Sequence, residues 1–406
     1  MHQAKRWLLP LLAAALLTGC AAPEGPVSSA DTGAVSGEES PSAASEPTET
    51  EASGGNMTEP PAASETERTE PSRTETPPPP AETEEEIIRR LGVDYRTQPS
   101  DYLMTFDNDS CDYWFIREGD TYHAYFLEFV PQEDGSKRQH IAHATSADFL
   151  HWEYQGIVLY GWGNTWDDRN LATGSVARCG DTYYMLYTGH SSSRSGLGLA
   201  KSSDLYTWER VGDGPVLPAS RRYKGRYEGA PHPCTILADP YLYPEAVDGW
   251  YYAFVNAWAT DLPKNSRGTQ LILRTQNFTD WEECGMALLA DGLDRLETAQ
   301  VWEHGGRWYM SFGGRSVDPN GGDFDDVASG NYIYMADSIT GPYRRQSWSD
   351  ITYPEAAAAG YIQKQLLDPF GDEVMLVMAP YRGVLWPYAM HYAEDGAITF
   401  SKAIRE

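Results

Sequence analysis

Three acidic side chains stand just upstream of a recurring glycine-led turn: Asp112 in "SCDYWFIREGDTYHAYF" (110–126), Asp239 in "LADPYLYPEAVDGWYY" (237–252) and Glu297 in "RLETAQVWEHGGRWY" (295–309). Carboxylates crowded into a pocket with aromatic walls raise the pKa of at least one of them, leaving a protonated acid beside an ionised partner. That pairing is what cleavage of a glycosidic bond requires. Each acid alone also has a plainer reading. Asp239-Pro240 suits a turn, Glu297 a solvated strand end, and Asp112 a turn cap beside Asp107 and Asp109.

The elements that position these acids repeat. A glycine-led turn followed by an alternating aromatic strand occurs at Gly119, Gly180, Gly249, Gly306 and Gly371, at intervals of about sixty residues. A second element, "TSADFLHWE" (145–153), "KSSDLYTWE" (201–209) and "TQNFTDWE" (275–282), follows in the first three units and degrades to "ADSITGPYRR" (336–345) in the fourth. Each unit holds about four strands of period-2 alternation. Five four-stranded sheets, none able to bury both faces alone, pack radially, so the spacing predicts an all-β, five-bladed β-propeller. In that architecture the first strand of each blade lines the central channel and lies just before the glycine turn. Asp112, Asp239 and Glu297 then converge on one funnel from blades one, three and four, with Gly174-Ser175 and Gln363 as the expected counterparts in blades two and five.

The chain has 406 residues and a formal net charge of -28, which argues against nucleic acid and anionic membrane surfaces as electrostatic partners. Much of that charge lies in 21–86, where sixteen Asp and Glu face only Arg68 and Arg73 and no aromatic residue occurs. Such a segment buries too little apolar surface to offset the loss of chain entropy, so a disordered, acidic Ser/Thr/Pro/Glu-rich linker is expected there. Ahead of it, Lys5 and Arg6 precede an apolar run from Trp7 to Leu17, too short to span a bilayer and shaped like a secretory signal. The run ends in Leu17-Thr18-Gly19-Cys20, which resembles a bacterial lipobox and implies acylation of Cys20. The expected organisation is a lipoprotein signal peptide at 1–20, a linker at 21–86 and a propeller at 87–406. The expected location is a membrane, reached by a lipid anchor facing the extracellular or periplasmic side. Cys111, Cys179, Cys234 and Cys284 have the wrong spacing for zinc and leave disulfide pairing open.

At its acid motifs the domain from about Asp101 onward resembles the glycoside hydrolase clan of family 32 (β-fructosidases) and family 43 (arabinofuranosidases and xylosidases), both five-bladed propellers. "CDYWFIREGDTYHAYFLE" is similar to the openings of both families, and "HIAHATSADFLHW" (140–152) follows a family 32 stretch. "ATGSVA" (172–177), "ADPYLY" (238–243) and "ETAQVWE" (297–303) resemble successive family 32 motifs, while "GNYIYMADSITGPYRR" (330–345) resembles family 43. The resemblance implies that Asp112 is the nucleophile or water-activating base, Glu297 the general acid, and Asp239 the third carboxylate, which steadies the oxocarbenium-like state and tunes the acid.

The chain also departs from the family 32 pattern. Ala238 replaces an Arg that grips the fructosyl ring, Glu128 replaces a Gln, Ile141 a Trp, and Thr298-Ala299 a Cys-Pro pair. Fructose specificity is therefore not implied. The blade-five segment "GYIQKQLLDP" lacks the His often offered to a central calcium, so neither a required metal nor another cofactor is expected. For substrate contacts, Trp162 and Trp166 in "GWGNTWDDRN" (161–170) offer flat faces for a sugar to stack on, although packing between blades would use them equally. Asn108 and Ser175 are candidate hydroxyl partners. Trp152, Trp208 and Trp281 recur with the repeat and are expected in its core. The partner implied is an oligo- or polysaccharide of fructosyl, arabinosyl or xylosyl type. Two other activities fit the same propeller: an inactive carbohydrate-binding lipoprotein, and a transferase using an acceptor sugar in place of water.

Overall fold

A computed structural model of the chain describes residues 82–106, 109–161, 163, 165–191, 195–219, 234–263, 266–289, 292–317, 326–353, 362–379 and 383–402. The expected signal peptide, Cys20, Asn108, Trp162 and all of the expected linker up to residue 81 lie outside these residues.

Five antiparallel sheets follow one another along the chain and form a five-bladed β-propeller. Their inner strands are Ser110–Glu118, Asn170–Cys179, Cys234–Leu242, Arg295–His304 and Gln363–Leu367. Each inner strand turns at one or two left-handed glycines into the second strand: Gly119, Gly180, Gly249, Gly305-Gly306 and Gly371 all have φ between 57° and 82°. The second strands carry the core. Phe126, Phe254 and Phe312 are fully buried there, and each such side chain contributes about 1.5–3 kcal/mol relative to exposure.

The repeated Ser/Thr-x-Asp/Asn motif makes the corner between the third and fourth strands. In blade one, the Asp148 carboxylate accepts from the N–H groups of Leu150 and His151 at 2.9 and 2.7 Å. In blade two, Asp204 accepts likewise from Tyr206 and Thr207 at 2.8 and 2.7 Å. Asn277 does the same in blade three. The motif's tryptophans close these corners: Trp152, Trp208 and Trp281 each donate Nε1–H to the carbonyl of Phe149, Leu205 or Phe278. These apolar residues then reach the preceding blade, as where Phe278 of blade three stacks on Tyr184 of blade two with ring centroids 4.3 Å apart.

The ring is closed by the N-terminal end of the domain. Strand Tyr102–Met104 pairs with Gly383–Leu385 of blade five. Only glycine fits at position 383, because its backbone has φ 121° and a Cβ there would collide with the Met104 carbonyl. Upstream, a helix over Glu84–Leu91 begins inside the stretch assigned to the linker. Its start is a capping box: the Thr83 hydroxyl accepts from the Glu86 N–H, and the Glu86 carboxylate accepts from the Thr83 N–H at 2.8 Å. Tyr95 then packs against Phe149, Phe370 and Trp386, joining blades one and five.

Candidate active site

Every inner strand of blades one to four carries an extra residue relative to its partner strand at the same place, and the blade-three strand carries a second one between Thr235 and Ala238. The register slips between Cys111 and Trp114, Ala172 and Gly174, Ala238 and Tyr241, and Glu297 and Gln300. Such a bulge bends the strand and re-aims one side chain toward the channel. The bulged residue is Asp112 in blade one, Thr173 in blade two, Asp239 in blade three and Thr298 in blade four. Asp112, Asp239 and Thr298 all have left-handed backbone, with φ of 54°, 48° and 52°.

This register corrects two alignments expected from spacing. Glu297 precedes the bulge position that Asp112 and Asp239 occupy, and the counterpart in blade two is Thr173 instead of Gly174-Ser175. The cause is the extra residue itself, which shifts side chains by one place without leaving a mark in the composition.

The bulges bring the acids together. Asp112 is buried, and burial together with the neighbouring Asp239 carboxylate raises its pKa to about 6. Donors pull the other way: the Thr173 hydroxyl donates to Asp112 Oδ2 at 2.5 Å, and Lys364 faces it. The Asp112 N–H points at the Met378 sulfur, 3.0 Å away. Asp239 is half-buried, and its pKa is also raised by burial. It is opposed by the Asn256 amide at 3.5 Å, the Thr298 N–H, Arg295 and Lys364. Glu297 is buried and accepts from Arg295 Nη1 at 3.3 Å, so the guanidinium that pairs with Glu297 also faces Asp239. Where Ala238 leaves no cation in blade three, Arg295 of blade four brings one. Its guanidinium and that of Arg267 lie over the Trp258 ring, 5.3 and 4.5 Å from its centroid.

The other sequence candidates are placed away from open solvent. The Ser175 hydroxyl is buried and spent between blades: it donates to the Pro240 carbonyl at 3.0 Å and accepts from the Leu242 N–H at 2.6 Å. Trp166 is buried against Gly189, where a Cβ would stand 2.5 Å from its ring, and beside it Asp167 accepts from Tyr187 and Arg210. Gln363 is buried too, accepting from the Tyr353 hydroxyl and donating to the Phe312 carbonyl.

Four residues of the site escaped sequence reasoning: Thr173, Asn256, Arg295 and Lys364. Arg295 had the one usable signal, because two residues before Glu297 on a strand puts it on the same face. Among the described residues, no group of three or more His, Cys, Asp or Glu is arranged to hold a metal ion.

A five-bladed propeller whose channel gathers carboxylates from separate blades is the architecture of a glycoside hydrolase class. Residues 104–303 match the model of the glycosyl hydrolases family 32 N-terminal domain. The matched stretch is similar to family 32 sequences, and the five-bladed fold is one shared by solved structures of families 32 and 43. The chain is 25% identical over 191 residues to the sucrose-6-phosphate hydrolase of Bacillus subtilis (strain 168), a match covering 45% of this chain and 35% of that protein. The chain thus spans about a third of that curated relative's length. Among solved structures, the Bombyx mori GH32 beta-fructofuranosidase superposes with a TM-score of 0.56 at 16% identity, covering 78% of this chain and 68% of that one. A thermostable family-43 glycoside hydrolase superposes with a TM-score of 0.55 at 14% identity, over 76% of this chain and 97% of that one.

Proposed function

We propose that the protein hydrolyses glycosidic bonds of fructosyl, arabinosyl or xylosyl type, using Asp112, Asp239 and Glu297. The observation that supports this most is the occupation of one bulge position in two blades by carboxylates, Asp112 and Asp239, with Arg295, the partner of Glu297, facing Asp239. In the proposed reaction Glu297 gives its proton to the leaving oxygen as the bond to the anomeric carbon breaks. Asp112 supplies the electron pair, either directly or through a water whose proton it takes, and Asp239 offsets the positive charge that develops on the ring. Thr173 and Lys364 favour the ionised form of Asp112 that this role needs.

One feature favours a neutral sugar as substrate. With Glu297 protonated, the charges of Asp112 and Asp239 are matched by Lys364 and Arg295, so the funnel carries no surplus field to attract an ion. The match to a sucrose-6-phosphate hydrolase favours a furanoside, whereas Ala238 argues against a fructosyl grip like that of family 32. Purified full-length protein assayed against sucrose, raffinose, arabinofuranosides and xylosides tests the reading, with Glu297→Gln as control. Turnover by the wild type and its loss in the variant, with binding retained, support hydrolysis. Binding without turnover in both proteins supports the inactive binder instead.

The export signal and Cys20 carry a second, separable part of the proposal: the mature chain is held at a membrane by acyl chains on Cys20, with 21–81 as a tether. Cys20→Ser expressed in a bacterial host should move the protein from the membrane to the soluble fraction. Retention in the membrane would refute the anchor.

A further inference from the structure

Lys364 lies on the blade-five inner strand with 5% of its surface exposed. An ammonium group removed from water costs several kcal/mol unless anions compensate it. The groups that face it come from other blades: Asp112 from blade one and Asp239 from blade three, both favouring its charged form. Tyr241, two residues beyond Asp239, presents its ring 5.7 Å from Nζ, within reach of a cation–π contact. Both neighbours of Lys364 along the strand are tied down. Gln363 is held by Phe312 and Tyr353, and Gln365 exchanges two 2.8 Å hydrogen bonds with Gln300, the residue that ends the blade-four bulge. The strand therefore cannot slide Lys364 away from the carboxylates.

We propose that Lys364 is a positioning residue, a resident counter-ion that keeps Asp112 and Asp239 ionised together and so leaves Glu297 as the group that carries the proton. Without it, two carboxylates facing each other in a buried channel would share a proton, since burial and mutual repulsion both oppose the second charge. Cys111 and Thr173, which touch Asp112, and Arg295 and Asn256, which face Asp239, support the anions but each reaches only one of them. Lys364 faces both. Burial drives its own pKa down to about 8, with the two anions holding it up.

The inference rests on the hydrolase reading for its kinetic arm alone. In that arm, Lys364→Met should move the acid limb of the kcat/KM–pH profile upward by about one unit or more and lower kcat while KM changes little. A variant with the wild-type profile overturns the proposal. The second arm needs no turnover and no Lys364 variant. Lysine Nζ signals are followed by pH titration in 15N-labelled wild type, Asp112→Asn and Asp239→Asn proteins. One signal should titrate below the exposed lysines, and its midpoint should fall further in each variant, because each removes an anion. If every lysine titrates together, or if no signal responds to either substitution, Lys364 is not the counter-ion. A responsive lysine in a protein that turns over no glycoside would retain the electrostatic inference and remove the hydrolase reading.

Discussion

Asp112 and Asp239 occupy the same residue of the same bulge in blades one and three, both with left-handed backbone at φ 54° and 48°. Asp and Asn tolerate that conformation because their short polar side chains bond locally, whereas other L-residues lose roughly 1–2 kcal/mol there. Asp112→Asn and Asp112→Ala should therefore abolish activity alike, by about 10²-fold or more, yet differ in stability. The Ala variant is expected to unfold about 1 kcal/mol more readily than the Asn variant in urea. Equal midpoints would mean that the bulge does not hold the strained backbone in solution.

Thr298 sits at the equivalent place in blade four with φ 52°, and its buried hydroxyl has no hydrogen-bond partner among the described residues. A β-branched side chain is the least suited to that backbone. Thr298→Asn keeps the N–H that serves Asp239 and relieves the strain, so it should raise the midpoint of thermal unfolding. A lower midpoint would show that the Thr298 methyl packing outweighs the strain.

The Thr173 hydroxyl donates to Asp112 at 2.5 Å, and a hydrogen bond to a charged group contributes about 1.5–3 kcal/mol. It favours the anion, so Thr173→Val should push the Asp112 pKa above its value of about 6. Because Asp112 works ionised, activity is fully present well above that pKa and is lost as pH falls through it. The variant should lose most of its activity near pH 6 to 7 and little near pH 9, as read from kcat/KM across pH. A uniform loss at every pH would place the role of Thr173 in substrate contact instead.

How much of this was legible in the residues depends on how local each signal is. The glycine-led turns at Gly119, Gly180, Gly249, Gly306 and Gly371 and the corner motifs around Asp148, Asp204 and Asn277 are local in the chain, so the five turns could be counted as five blades and the corners seen to repeat in the first three. Asp112 and Asp239 were findable because each sits at a roughly constant distance before a glycine turn. The one-residue offset of Glu297 was not, since a bulge is a relation between two strands and only one of them is visible at a time. Lys364 was hidden for a different reason: a lysine in a short alternating strand ordinarily points to water, and only the meeting of blades one, three and five buries it. Helix Glu84–Leu91 was masked by the acidic run before it, although Thr83 and Glu86 already spelled a capping box.

Ser175 joins blades two and three by accepting from the Leu242 N–H and donating to the Pro240 carbonyl. Ser175→Ala leaves both backbone groups without that partner, at about 1–3 kcal/mol. The variant should unfold at lower urea concentration with an unchanged slope, and its KM should stay near the wild-type value. A raised KM with unchanged stability would instead assign Ser175 to the substrate.

His123 and His143 form a buried pair, Nδ1 of the first 3.0 Å from Nε2 of the second, with rings stacked 5.2 Å apart. Tyr125 stacks on His143, and Tyr206 meets both edge-on. Burial drives the two pKa values down to about 4 and about 3, with Glu118 and Asp204 opposing weakly. Both rings are thus neutral when folded, whereas in the unfolded chain they titrate near 6.5. Below about pH 6.5 the unfolded chain takes up protons that the folded chain refuses, so stability falls with pH, by at most about 1.4 kcal/mol per unit for each histidine, and levels off once the folded values are reached. Unfolding midpoints measured from pH 7 to pH 4 should therefore drop steeply in the wild type and less so in a His123→Phe/His143→Phe double variant. Curves of equal slope would shift the acid sensitivity from this pair to the carboxylates.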